Sequence, residues 1–241
     1  MRVYVCFDDT DTIDADRGTG KLARWFEKSL PEGCGLWGVV RQQLLVDPAI
    51  PYTSHNSSAC AVVECSCRDL LPQVIETASR HIETHSLPGS DPGLCVVFDD
   101  DRALPGLTLF GRDATRAIVT QREAMNAARD AHLSGHGGTS DGIIGAAAAV
   151  GLTAYGWSGR LIGYRDLREL PRIVTVRTLG EHGIIVISVD RDARVPAPDD
   201  EIDTRGWLRP RLLGGRAVLP VAAKGPHRWE SLGKKRGKQK D

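Results

Sequence analysis

Three carboxylates stand close together near the N-terminus, in the stretch Phe7-Asp8-Asp9-Thr10-Asp11. The apolar residues 3–6 precede them, and their β-branched and aromatic types predict a buried strand. Neighbouring carboxylates repel one another, so the cluster needs a cation or a set of hydrogen bonds to stay ionised. A hard cation such as Mg²⁺, carrying a phosphorylated ligand, meets that need. The alternative is an Asp/Thr-rich turn that contains one helix cap.

A second candidate site lies at residues 135–145, with the sequence Gly-His-Gly-Gly-Thr-Ser-Asp-Gly-Ile-Ile-Gly. Small residues at 146–150 follow and predict a helix. Glycines and hydroxyls at the start of a helix leave backbone N–H groups for an anion or a phosphate. The run is neither a Walker P-loop, which needs a Lys-Ser/Thr pair after its last glycine, nor a Rossmann fingerprint. A tight loop whose alanines allow close helix packing explains the same residues.

The elements that would position these residues alternate in a recognisable order. Strands are predicted at 3–6, 36–46, 58–65 and 94–98, and helices at 22–30 and 70–85. The order β-α-β-β-α-β predicts an α+β fold with a ferredoxin-like first half, residues 1–105, in which two helices cover one face of a four-stranded antiparallel sheet.

A second α/β region is predicted at 106–223, around the glycine-rich loop. Its predicted elements are a helix at 115–133, strands at 161–165, 173–176 and 184–189, and a hairpin at 212–219 that turns on two glycines.

Composition places the chain among ordinary globular proteins. It has 241 residues, of which 41% are hydrophobic and 26% charged. It contains neither an apolar run of the roughly 18–20 residues that cross a bilayer nor a recognisable signal peptide, so we expect a cytoplasmic protein.

The charge is balanced overall but uneven along the chain. The formal net charge is zero, yet residues 224–241 hold seven basic residues against two acidic ones. Such a segment predicts a basic, disordered tail. The tail is either a solubilising terminus or a contact for RNA.

Three separated segments together resemble one family, the archaeal isoleucine tRNA agmatinylcytidine synthetases. The first is Asp-Asp-Thr-Asp at 8–11. The second is Asp-Pro-Ala-Ile-Pro-Tyr-Thr-Ser at 47–54, which is similar to the family's Asn-Pro-x-Ile-Pro-Tyr-Lys-Thr. The third is the run 138–151 together with Leu-Ile-Gly-Tyr-Arg at 161–165. The resemblance covers roughly the first 165 residues and implies a kinase-like and a ferredoxin-like domain.

The resemblance also implies a chemistry, since members of that family activate the C2 oxygen of a wobble cytidine with ATP before agmatine displaces it. ATP and Mg²⁺ are therefore the expected cofactors. Carried over by motif, the carboxylates for Mg²⁺–ATP are Asp8, Asp9 and Asp11. The expected phosphate-binding residues are Gly137, Gly138, Thr139, Gly142 and Gly145. The expected residues near the nucleotide are His55, Asn56 and Ser57.

Two departures from the family pattern bear on activity. The family's autophosphorylated threonine falls in a run that reads Gly18-Thr19-Gly20-Lys21 here, so either Thr19 or Lys21 stands in its place. The matched region also does not include the OB-fold and zinc ribbon that handle tRNA in the full enzyme.

We therefore expect Mg²⁺–ATP-dependent phosphoryl transfer or ligation on a nucleotide-like or small-molecule acceptor, with Lys21 stabilising the charge that moves. The alternative is a non-catalytic module that binds a nucleotide or RNA.

Overall fold

A computed structural model describes residues 1–53, 55–190 and 194–233. Its first half contains two helices and four strands in the predicted order. They are β1 (Arg2–Asp8), α1 (Thr19–Trp25), β2 (Cys34–Gln43), β3 (Ser57–Cys65), α2 (Leu71–His85) and β4 (Gly93–Phe98). A 3₁₀ turn extends α1, and another precedes α2.

The four strands form an antiparallel sheet in the spatial order β4-β1-β3-β2. Alternate residues of β1 point to opposite faces, as the period of a strand requires. Val3, Val5 and Phe7 pack with Leu22 of α1 and Ile82 of α2, so both helices cover one face. The predicted α+β, ferredoxin-like fold is confirmed.

The opposite face of this sheet is covered by α3 (Leu104–Asp113) and α5 (Gly142–Tyr155). The alanines of α5 are fully buried, and their small side chains let the helix lie close against the strands. The predicted helix at 115–133 is wrong in extent. In its place stand α4 (Gln121–Ala127) and the strand β5 (His132–Gly135), which pairs with β4.

The remaining strands extend the same sheet beyond β2. They are β6 (Arg160–Gly163), β7 (Ile173–Thr175), β8 (Ile185–Ser188), β9 (Glu201–Asp203), β10 (Arg211–Leu213), β11 (Arg216–Gly225) and β12 (Arg228–Ser231), with the short helix α6 (Val176–Glu181) after β7. Within the described residues, twelve strands belong to one sheet. The predicted hairpin is present and turns on Gly214 and Gly215.

The predicted tail begins too early. Lys224 belongs to β11, and β12 pairs with β11 in an antiparallel arrangement. The chain therefore continues as part of the sheet beyond residue 224. Residues 234–241 lie outside the described residues. The predicted boundary at 105/106 falls inside α3, and α5, from the second region, packs on the strands of the first. Across the described parts of the chain, no helix combines the length and the apolar character needed to cross a membrane.

Candidate functional site

A cavity of about 720 Å³ opens at the edge of the sheet where β1 ends and β3 and β4 begin. Its wall is formed by the turn after β1, the start of α1, the β2–β3 connection, Asp91 just before β4, the segment between α3 and α4, and the glycine-rich loop with the start of α5. Ligand sites of proteins are commonly concave and of this size.

Most of the site residues expected from the sequence meet in this one cavity. Those on its wall are Asp8, Asp9, Asp11, Thr19, His55, Asn56, Ser57, Thr139, Gly142 and Gly145. The acidic turn (residues 8–11) and the glycine-rich loop (residues 135–145) are more than 120 residues apart in sequence. Both therefore contribute to the wall of the same cavity, which we call the acidic cavity.

Three expected residues are not on that wall. Lys21 lies on α1 with its ammonium 5.2 Å from the ring centre of Trp25. Gly137 and Gly138 lie in the loop behind the wall, against Pro92 and Asp91. The structure does not bring Lys21 to the carboxylates, whereas the hydroxyl of Thr19 is beside them.

Asp8 ends β1 and packs directly against α5. A Cβ atom built on Gly145 would lie 1.7 Å from Asp8 Oδ2, so only glycine leaves room for the carboxyl. Burial and, after it, the charge of Asp9 raise the pKa of Asp8 to about 7. The Ser58 hydroxyl is close enough to oppose this rise, although it makes no hydrogen bond of good geometry. Asp8 is therefore a carboxyl that gains from a nearby cation.

Asp9 has a φ of 48°, in the left-handed region that residues other than glycine rarely occupy. Strained backbone of this kind is concentrated at functional sites. Burial, together with the charges of Asp91, Asp11 and Asp141, raises the pKa of Asp9 to about 6. This backbone conformation places a second carboxyl beside that of Asp8, and it costs free energy.

Asp11 is held by hydroxyl groups. Thr19 Oγ1 donates to Asp11 Oδ1 at 3.2 Å, and Thr53 Oγ1 donates to Asp11 Oδ2 at 3.5 Å. Thr19 in turn accepts hydrogen bonds from the backbone and side chain of Thr10. Burial raises the pKa of Asp11, but these hydroxyls oppose the rise. Asp11 is thus anchored to the start of α1.

The glycine-rich loop already holds an anion. The backbone N–H groups of Thr139 and Ser140 donate to the carboxylate of Asp91, at 3.0 and 2.6 Å. Gly138 has a φ of 56°, which brings its backbone close under that carboxylate. Burial alone would raise the pKa of Asp91, yet the hydrogen bonds from the loop lower it. Asp91 therefore lies where the sequence predicts a phosphate.

The β2–β3 connection closes the cavity and is tied down by polar contacts. Asn56 Nδ2 donates to the carbonyl of Leu45 at 2.7 Å, and the Asn56 carbonyl accepts from Gln43. Ser57 Oγ accepts a hydrogen bond from Arg41 Nε at 2.9 Å. The wall here also presents apolar side chains, among them Ile50 and Tyr52.

Five carboxylates and no lysine or arginine are found among the described residues of the wall. The acidic residues are Asp8, Asp9, Asp11, Asp91 and Asp141. Over the described ranges, no three His, Cys, Asp or Glu side chains converge as a metal site of their own. Because Mg²⁺ is usually held by one or two carboxylates with phosphate oxygens and water, the desolvated Asp8 and Asp9 fit such an ion.

Sequence reasoning missed several residues of the wall. Asp91 and Asp141 add two carboxylates, and Gln121 binds Asp141 Oδ1 and the Thr139 carbonyl through its side chain. No local pattern marks Asp91, since its partners are 48 and 49 residues away along the chain. Gln121 does lie within a recognisable capping box, which Thr120 and Glu123 form.

Comparisons with known proteins give likenesses among solved structures. The crystal structure of a tRNA fluorescent labeling enzyme is 27% identical with a TM-score of 0.54, over 63% of this chain and 36% of that chain. A complex of TiaS with an isoleucine tRNA and ATP is 26% identical with a TM-score of 0.53, over 63% and 36%. Apo TiaS, an agmatidine synthetase for that tRNA, is 25% identical with a TM-score of 0.51, over 63% and 35%.

These likenesses confirm the resemblance in fold to the agmatinylcytidine synthetases. The matched part of the chain spans about a third of the length of those proteins. No protein-family model matches the chain, and no curated protein matches it either.

Proposed function

We propose that this chain is an ATP-dependent, RNA-modifying ligase or phosphoryl transferase, a divergent relative of the agmatinylcytidine synthetases. Its work would be to transfer a phosphoryl group from ATP to an oxygen of the acceptor, with ADP as the leaving group. The observation that carries the proposal is the single cavity, in which the acidic turn, the His55–Ser57 segment and the start of α5 meet.

The structural neighbours support the choice of ATP and RNA. Their structures include one with tRNA and ATP, and one with tRNA, AMPCPP and agmatine. The segments that carried the resemblance, 8–11 and 47–53, contribute to the same cavity wall here. The acceptor is proposed only as a class, an oxygen of an RNA base.

Mg²⁺ would be held by Asp8 and Asp9 and would neutralise phosphate charge during transfer. The protein's own groups explain why it is needed. Both carboxyls are raised in pKa because they are desolvated and close together, and the described wall offers no lysine or arginine to pair with phosphate. ATP alone would be repelled by this cavity, so its binding should depend on a divalent cation.

Three groups of the chain have defined tasks in this proposal. Thr19 and Thr53 hold Asp11 through their hydroxyls and so fix the turn that carries Asp8 and Asp9. The apolar residues of the β2–β3 connection offer surface to a nucleobase and exclude water. The start of α5 supplies the positive end of a helix dipole toward the phosphates.

The loop would contribute only after an exchange of partners. Because Asp91 accepts the N–H groups of Thr139 and Ser140, a phosphate can reach these donors only by displacing that carboxylate. Nucleotide binding would then be coupled to movement of Asp91. The same arrangement supports a second candidate function, a nucleotide- or RNA-binding module without turnover, in which Asp91 keeps the loop closed.

Product identification separates the two functions. The full chain is incubated with Mg²⁺ and ATP, with and without unmodified tRNA transcripts, and the nucleotides are resolved by chromatography. The proposal predicts ADP that forms with wild-type protein and falls at least a hundredfold in Asp9→Asn. The exposed surface variant Asp69→Asn is the matched control and keeps full turnover.

Intact ATP binding with neither ADP nor AMP produced would refute catalysis and leave the binding module. AMP as the product would replace phosphoryl transfer by adenylyl transfer. Full turnover in Asp9→Asn would remove the metal role from that carboxylate.

A further inference from the structure

A second concave surface of about 340 Å³ lies on the sheet beside the acidic cavity, and we name it the arginine groove. It is lined chiefly by Arg41, Gln42, Trp157, Gly159, Arg160 and Arg211. Among the described residues of its wall there is no aspartate or glutamate. The groove is thus opposite in charge to the cavity.

The three arginines form one row across neighbouring strands. Arg41 of β2 is the register partner of Arg160 of β6, and Arg160 is the partner of Arg211 of β10. Adjacent strands are about 4.8 Å apart, so the row extends for roughly 10 Å. Like charges that face each other across strands are destabilising, so this row costs stability in the protein alone.

None of the three arginines is paired with a described carboxylate. Arg41 donates to the neutral hydroxyl of Ser57 instead. Burial and then the neighbouring arginine lower the pKa of both Arg41 and Arg160. The row therefore presents cationic groups whose charge no described acidic residue balances.

Trp157 adds an aromatic surface at the groove and is 60% exposed. Its turn is fixed in place. Gln42 donates to the Ser158 carbonyl at 3.2 Å and accepts from the Ser158 hydroxyl at 3.0 Å. Gly159 has a φ of 93° and lies so close to Gln42 and Val40 that a Cβ atom would not fit. A large indole held on a rigid turn and left open to solvent is suited to stacking.

We propose that the arginine groove binds the phosphate backbone of a single-stranded RNA segment, with one base stacked on Trp157. A row of about 10 Å reaches more than one phosphate, which favours a polymer over a single small anion. Stacking platforms beside basic grooves are the usual means of holding single-stranded nucleic acid. The partner is the RNA of the proposed function, so the location of the strand rests on that function.

The groove joins the cavity through one hydrogen bond. Arg41 lines the groove, while its partner Ser57 lines the acidic cavity. A strand seated on the arginines would therefore pass the cavity mouth and could deliver an unstacked base into it. The acidic cavity would repel the backbone itself and admit only the base.

The test is the binding of a short, fluorescein-labelled single-stranded RNA to the full chain, followed by fluorescence anisotropy over a salt series without nucleotide. The affinity decreases as salt is added, so the slope of log affinity against log salt is negative. This slope should become less steep by about one in Arg160→Gln, and by about one in Arg211→Gln. Trp157→Ala should weaken binding roughly tenfold with an unchanged slope, since stacking is not ionic. Arg80→Gln, which removes an exposed arginine paired with Glu76 on α2, is the matched control.

Unchanged binding in the groove variants, or an equal loss in Arg80→Gln, would overturn the proposal. A loss confined to deletion of residues 234–241 would place the RNA contact on the basic C-terminal segment instead. Preference for an acidic peptide over RNA would show a protein partner and also refute it. ATP binding to the cavity is measured without RNA, so the groove and the proposed function can fail separately.

Discussion

Replacing Asp8 with asparagine should stabilise the protein at alkaline pH, although it removes a residue of the candidate site. Asp8 ends β1 against Gly145, and burial with the charge of Asp9 raises its pKa from 3.8 to about 7. A carboxyl whose pKa is higher in the folded state favours folding only while it is protonated. The unfolding free energy therefore decreases as the pH rises from 3.8, the ordinary pKa, through the folded pKa of about 7.

The rise in the pKa of Asp8 from 3.8 to about 7 lowers the unfolding free energy by about 4 kcal/mol at a pH above both pKa values. Part of that loss is shared with Asp9, and asparagine leaves its own amide to be satisfied. We therefore expect Asp8→Asn to gain roughly 1–3 kcal/mol in unfolding free energy near pH 8. Near pH 4, where the Asp8 carboxyl is largely protonated when folded, the gain should be close to zero.

Urea denaturation followed by circular dichroism, in buffers from about pH 4 to pH 9 without divalent cations, measures this difference. Adding Mg²⁺ near pH 8 should stabilise the wild type more than Asp8→Asn, because the cation favours the ionised carboxyl. Asp69→Asn, an exposed carboxylate, is the control and should show neither effect. An Asp8→Asn protein that is equally destabilised at every pH would refute the reasoning and make Asp8 a structural hydrogen-bond acceptor.

Three further substitutions test the walls of the cavity. Gly145→Ala should lower the unfolding free energy, measured by urea denaturation, by at least about 2–3 kcal/mol, because its Cβ atom would clash with Asp8. In Gly180→Ala the added Cβ atom meets no other atom, so this control should be neutral or stabilising, and equal effects would contradict the packing argument. Thr19→Ala should cost about 1 kcal/mol by losing its bond to Asp11, and Thr19→Ser should restore it; no difference between the two would remove that role. Asp91→Asn should tighten ATP binding roughly fivefold in calorimetry, about 1 kcal/mol for one charge removed from the phosphate's path; weaker binding would show that the carboxylate assists the nucleotide.

Local sequence patterns sufficed where the structure is local. The spacing of apolar residues predicts a helix at 70–85, and α2 spans Leu71–His85 with its apolar face on the sheet. Strands of the first half such as β3 and β4 were also predicted from local pattern, because each contains a run of buried, mostly apolar residues. Their order then gives the ferredoxin-like arrangement.

The errors arise where distant pairing decides the outcome. Residues 115–133 fit a helical spacing, yet His132–Gly135 forms hydrogen bonds with β4 and becomes an edge strand. Pairing with an existing sheet outweighed the local preference. Likewise, Lys21 is near the acidic turn in sequence, but the path of α1 directs it toward Trp25 and leaves Thr19 at the cavity.

The candidate site shows the same difference between features that local patterns predict and features that depend on long-range contacts. The acidic turn and the glycine-rich loop each have a recognisable composition, and both reach the cavity. The occupation of the loop by Asp91 depends on the fold, since the start of β4 and the start of α5 come together only in three dimensions. The arginine row was equally hidden, because Arg41 is 119 residues from Arg160 along the chain and Arg160 is 51 residues from Arg211.

We propose above all that the acidic cavity holds a metal–nucleotide complex. A crystal structure of the full chain with a non-hydrolysable ATP analogue and Mn²⁺ in place of Mg²⁺ tests it, because the anomalous signal locates the metal. We expect a peak bound to Asp8 and Asp9, with the phosphates toward the start of α5. A nucleotide bound elsewhere, for example with its phosphates on the arginine groove, or a cavity that binds the nucleotide without metal, would contradict it.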